Sequence, residues 1–80
     1  VYKAIRLLGI YGYRLGLPQS RALGNSLFEL RERGFQEVRI FYTFFQGKAM
    51  LLSGFIKKSQ KTPRQEIQKA RERMNALTSV

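Results

Sequence analysis

The stretch Glu37–Phe45 constrains the fold more than any other part of the chain. Val38, Ile40, Phe41, Tyr42, Thr43, Phe44 and Phe45 are β-branched or aromatic, side chains that pack well on a pleated surface. Turn signals bound the run, Gly34 before it and Gln46-Gly47-Lys48 after it. Residues 49–56 supply a strand beyond the second turn. Leu27-Phe28-Glu29-Leu30-Arg31-Glu32-Arg33, with partial alternation, supplies one before the first. Short turns on both sides of a middle strand predict an antiparallel meander of at least three strands.

A helix is expected at each end of this sheet. Over residues 2–15, Ile5, Leu8, Tyr11 and Leu15 recur at helical spacing, and Gly16-Leu17-Pro18 stops the pattern. Gly9 and Gly12 weaken its second half, and residues 18–25 read as a polar connector. Near the other end, Thr62 suits an N-cap, Pro63 the first helical position, and Gln65 completes a Thr-x-x-Gln capping box. Ile67, Ala70, Met74 and Leu77 then form one stripe that docks on the sheet, with Lys69, Arg71 and Arg73 off it. The expected fold is therefore α+β, in the order helix, three strands, helix.

Eighty residues suffice for one core. No apolar run approaches the roughly 20 residues of a membrane span. The absence of cysteine removes disulfides and thiolate metal sites and suits a reducing cytoplasm.

Charge carries the functional signal. Fifteen Lys and Arg against five acids give a net charge of +10, an excess that draws polyanions because phosphate contacts release condensed counterions. There is no His, Cys or Asp, and the acids are Glu29, Glu32, Glu37, Glu66 and Glu72. Ser-His-Asp hydrolysis, zinc sites and histidine-based RNA cleavage therefore lack their groups, and a two-metal nuclease lacks its carboxylate cluster.

What remains is a set of cations on a sheet. Alternation places Arg39, Phe41, Thr43 and Phe45 on one face of the middle strand, and the more uniformly apolar Val38, Ile40, Tyr42 and Phe44 on the other, the expected core side. Arg31 on the preceding strand can share the face of Arg39. The third strand runs into Lys57-Lys58-Ser59-Gln60-Lys61, a polar loop with three cations. Together these groups suit a phosphodiester and the extra charge of its in-line transition state. The competing reading is a solvated face on which Glu29, Glu32 and Glu37 pair the cations across strands. Most aromatic residues belong in the core, leaving Tyr42 and an off-core Phe41 or Phe45 as candidates for stacking on bases.

The segments Leu27-Phe28-Glu29-Leu30-Arg31, Val38-Arg39-Ile40-Phe41-Tyr42 and Leu51-Leu52-Ser53-Gly54-Phe55-Ile56-Lys57-Lys58-Ser59-Gln60-Lys61-Thr62-Pro63 resemble the phage-derived HigB-like branch of the RelE/ParE toxin superfamily. Glu66-Ile67, Ala70, Leu23 and Leu15-Gly16-Leu17-Pro18 extend the likeness across nearly the whole chain. It implies that residues 1–80 form one toxin domain with a twisted antiparallel sheet, in register after the family's usual first strand. It also implies a cytoplasmic type II toxin, neutralised by a helix-turn-helix antitoxin, that cuts mRNA on the translating ribosome with neither metal nor small-molecule cofactor. In the implied chemistry the ribose 2′-OH attacks the adjacent phosphate. Arg39 and Lys58 take the phosphate and transition-state charge, and either Arg31 orients the ribose phosphate or a desolvated Lys57 serves in proton transfer. Lys57, Lys58, Gln60, Lys61 and Tyr42 are the implied RNA contacts.

Two departures bear on catalysis. Position 53 is Ser where this branch often carries His, and residues 63–80 contain no counterpart of the late tyrosine of RelE. The alternatives are a non-catalytic gyrase inhibitor resembling ParE, or an inactive relative that only binds antitoxin or nucleic acid.

Overall fold

The structure, a computed structural model, describes residues 3–16, 18–34, 36–58 and 61–78. Helix α1 (Lys3–Tyr11) continues into a 3₁₀ turn, Gly12–Arg14. Strands β1 (Ser20–Gly24), β2 (Leu27–Arg33), β3 (Glu37–Phe45) and β4 (Lys48–Ile56) follow, then helix α2 (Arg64–Thr78). The strands form one antiparallel sheet in the order β1-β2-β3-β4. The α+β arrangement is the expected one, with an added strand.

That strand, β1, occupies part of the expected connector. Its sequence Ser-Arg-Ala-Leu-Gly has neither alternation nor β-branching, so pairing with β2 defines it and not propensity. Asn25 (φ 53°) and Ser26 (φ 68°) close this hairpin. Gln46 (φ 53°) and Gly47 (φ 79°) close the β3–β4 hairpin in the same way. Positive φ at both central residues matches the right-handed twist of the strands.

Helices cover both faces of the sheet. On one side Ala4 and Leu8 of α1 pack with Leu30 and Tyr42, flanked by Ile5, Leu15, Phe28, Ile40 and Phe44. On the other, Ala70 of α2 packs with Leu27, Phe41 and Leu52, flanked by Ile67, Met74 and Leu77. The α2 stripe is as expected. Helix α1 stops earlier than its stripe predicts, because Gly12 turns left-handed (φ 57°) and leaves Tyr11 exposed.

Buried carboxylates join the elements. Glu32 of β2 accepts hydrogen bonds from the N–H groups of Ala4 (3.2 Å) and Ile5 (3.1 Å), so a strand side chain caps α1. Helix α2 begins at Arg64, one residue later than expected, with the Pro63 carbonyl accepting from Glu66 N–H (3.1 Å). The Thr62 hydroxyl donates instead to Glu29 of β2 (2.8 Å), giving the expected cap residue a tertiary bond.

The two off-stripe arginines of α2 also reach backbone. Arg71 donates to the carbonyls of Leu23 and Gly24 in the first hairpin (3.4 Å each). Arg73 donates to the carbonyl of Leu52 (2.8 Å). Leu52 is the extra residue of a bulge in β4, since Phe41 pairs Ser53 while Tyr42 pairs Leu51.

Candidate nucleic-acid interface

The α2 side of the sheet changes character along its strands. Near α2 it is apolar, with Leu27, Phe41 and Leu52. Toward the other end cations cluster on it. Register pairs Arg31 with Arg39, Arg39 with Phe55, and Arg33 with Glu37. The Lys57 N–H donates to the Glu37 carbonyl (2.8 Å), carrying the ladder one residue past β4. Alternation therefore gathers Arg31, Arg33, Glu37, Arg39 and Lys57 on one face. The expected placing of Arg31 beside Arg39 holds.

That face is not the open surface that alternation alone suggested. Arg39 is 3% exposed and Phe41 fully buried, and α2 packs on the apolar part of this side, at Leu27, Phe41 and Leu52. Two carboxylates meet the Arg39 guanidinium: Glu37 Oε1 lies 3.0 Å from Nη1 and Glu29 Oε1 lies 4.0 Å from Nε. Pairing of cations with acids is therefore realised at Arg39, closely with Glu37 on the same strand and more distantly with Glu29 across strands, and it offsets the repulsion of directly opposed arginines. Yet Nε and Nη1 of Arg39, and Nε of Arg31, are buried without an aligned hydrogen bond. The charge is compensated while the N–H donors are left over.

The two acids behave differently. Glu29 has no exposed surface and accepts from Arg21 (3.0 Å) and Thr62 (2.8 Å) besides its approach to Arg39. The Glu37 side chain is 42% exposed and also stands 3.9 Å from Arg33. Polar contact with Arg39 and the charge of that guanidinium hold the Glu37 carboxyl below the usual carboxylate range, with further help from Arg33 and Lys57. Spacing alone did not reveal Glu29 as a junction of β1, β3 and the start of α2. Its place in a strand, flanked by Phe28 and Leu30, was the available signal.

Among the remaining site candidates, Lys57 is half-buried, and Lys58 and Lys61 are exposed; Gln60 lies outside the described residues. The Ser53 hydroxyl, cross-strand from Phe41, is buried without a hydrogen-bond partner. A cleft of about 180 Å³ opens beside the cluster, lined by Lys3, Pro18, Gln19, Arg31, Glu32 and Arg33 among others.

Tyr42 is corrected. It is 1% exposed on the α1 side, stacked on Phe28 with ring centroids 5.3 Å apart, and its hydroxyl shares a hydrogen bond with Ser20. Burial pushes its phenol above the ordinary value, with the Ser20 contact opposing. A ring so placed meets no base. Phe41, stacked on Phe55 (5.7 Å), is likewise core, whereas Phe45 is half-buried.

Residues 1–75 match the family described as phage derived protein Gp49-like (DUF891), and the chain belongs to that family. It is a RelE/ParE-like toxin family, associated with toxin–antitoxin systems and hence with an antitoxin partner. The resemblance seen in the motifs holds at the level of the superfamily. Neither the curated proteins nor the solved structures compared with the chain include a match.

Proposed function

We propose that this Gp49-like chain is the toxin of a type II pair, close to the HigB-like branch, and cuts ribosome-bound mRNA in the cytoplasm without a metal ion. The observation carrying the reading is the opposed pair Arg31–Arg39, whose buried Nε and Nη1 donors make no aligned hydrogen bond and lie beside Lys57 and Arg33. A phosphodiester supplies such acceptors in the geometry a guanidinium fork prefers.

In the reaction the 2′-oxygen loses its proton to a base and bonds to phosphorus. The bond from phosphorus to the 5′-oxygen breaks, and that oxygen takes up a proton. Arg31 and Arg39 hold the non-bridging oxygens as charge accumulates. Half-buried Lys57 stands closest to a proton-transfer role, while Lys58 and Lys61, with Gln60 between them in sequence, track the backbone. Positioning by the ribosome lowers the demand on any one acid or base. The antitoxin partner is a helix-turn-helix protein.

A binding-only role is the second reading, favoured by the two carboxylates already at Arg39 and by Ser53 at a position that often holds His. Primer extension on mRNA from a translation reaction separates the two. Codon-spaced cuts by wild type, lost in Arg31→Ala and Lys57→Ala, are expected. Arrested growth with intact mRNA and inhibited supercoiling overturns the nuclease reading in favour of gyrase.

A further inference from the structure

We propose that Glu37 is an exchangeable counter-anion of Arg39, which a nucleic-acid phosphodiester displaces on binding. This inference rests on the anion-site reading above but not on cleavage.

Arg39 has 4% of its side chain exposed and its Nη1 is buried, with Glu37 Oε1 beside it. The contact is close at 3.0 Å, yet neither Nη1 nor Nε makes an aligned hydrogen bond. The carboxylate therefore neutralises the guanidinium while leaving Nη1 and Nε short of a well-aligned bond. Arg31 Nε, on the directly opposed residue, is likewise buried without a hydrogen-bond partner. A phosphodiester carries one negative charge, as the carboxylate does, so the exchange conserves charge. It gains the alignment that the present pair lacks.

The two acids at Arg39 divide the work. Glu29, without exposed surface and held from three sides, cannot leave. Glu37, the first residue of β3 and 42% exposed, turns into water and retains Arg33, 3.9 Å away and 70% exposed, as an ion partner. A small anion gains only the exchange. A nucleic-acid strand adds contacts to Lys57 and Lys58 and so displaces the carboxylate more readily. Glu37 is in this sense a specificity residue, holding the site against simple anions.

The test is binding of a single-stranded 2′-deoxy oligonucleotide, which has no attacking hydroxyl and so separates binding from cleavage. Glu37→Gln raises the net charge by one from +10, and so does the control Glu72→Gln, at an exposed position on α2. Glu37→Gln is expected to tighten binding by about tenfold or more, and Glu72→Gln by under about threefold because screening weakens a distant charge. Equal gains overturn the proposal. In wild type, saturation with the oligonucleotide is expected to shift the Nε–H resonances of Arg31 and Arg39, and inorganic phosphate at equal ionic strength much less. An unmoved Arg39 Nε–H at saturation overturns the proposal whether or not the variants fold. Cleavage failing while these shifts persist removes the nuclease reading and leaves the exchange standing.

Discussion

Replacing Glu29 by glutamine keeps the shape of the side chain and removes the charge at the junction of β1, β3 and the start of α2. Three contacts respond. The bond from Arg21 weakens, but that guanidinium is 45% exposed and water compensates it, so this part costs about 0.2–1 kcal/mol. The Thr62 hydroxyl exchanges an ionised acceptor for a neutral one, a loss of about 1 kcal/mol. Arg39, 4% exposed, keeps only Glu37 near its charge. Breaking a buried pair from one side costs about 3–5 kcal/mol in all. Eighty residues at about 0.05–0.15 kcal/mol each have only about 4–12 kcal/mol of stability, so the variant is expected near the limit of folding. Urea unfolding followed by circular dichroism gives the answer, with a lower midpoint at unchanged slope as the expected result. A loss below about 1 kcal/mol refutes the reasoning, since it would mean that water or rearranged acids already satisfy Arg39. Arg21→Gln is the internal control and should cost less than about 1 kcal/mol.

Three further outcomes are expected. Glu32→Ala removes the acceptor for the first N–H groups of α1 and should cost about 0.5–2 kcal/mol, with amide exchange accelerated first in residues 4–8. Tyr42→Phe should leave oligonucleotide affinity unchanged within about twofold, whereas loss of affinity would return this ring to the interface. The raised phenol pKa of wild type makes its stability contribution complete below the ordinary tyrosine value and lost as pH rises through the higher folded one. Unfolding midpoints in strong base, compared between wild type and Tyr42→Phe, check that sign.

Much of the sheet was legible because β3 is dense in β-branched and aromatic side chains and the Gln46-Gly47 turn admits few alternatives. Helix α2 was legible from a stripe that buries Ala70 fully. Strand β1 was not, since an edge partner can recruit Ser-Arg-Ala-Leu-Gly without help from propensity. At the site, alternation correctly put Arg31 and Arg39 on one face. It could not tell that α2 packs on the apolar part of that face, nor that Arg39 is buried with Glu29 and Glu37 at its guanidinium. Thr62 shows the same limit: a local capping pattern gave way to a partner 33 residues away.

The bulge at Leu52 has a consequence for copies of the chain meeting one another. Strand β4 is an outer strand of nine residues, and Leu51 (54%) and Ile56 (47%) are exposed along it. Such an edge is a template for sheet extension and, in time, for fibrils. The extra residue breaks the repeat in the middle of the strand, and Arg73 already occupies the carbonyl there. An incoming strand finds two short stretches out of phase instead of one continuous ladder, on a molecule whose charge already repels its own kind. A side chain of the closing helix thus works as a guard against self-association.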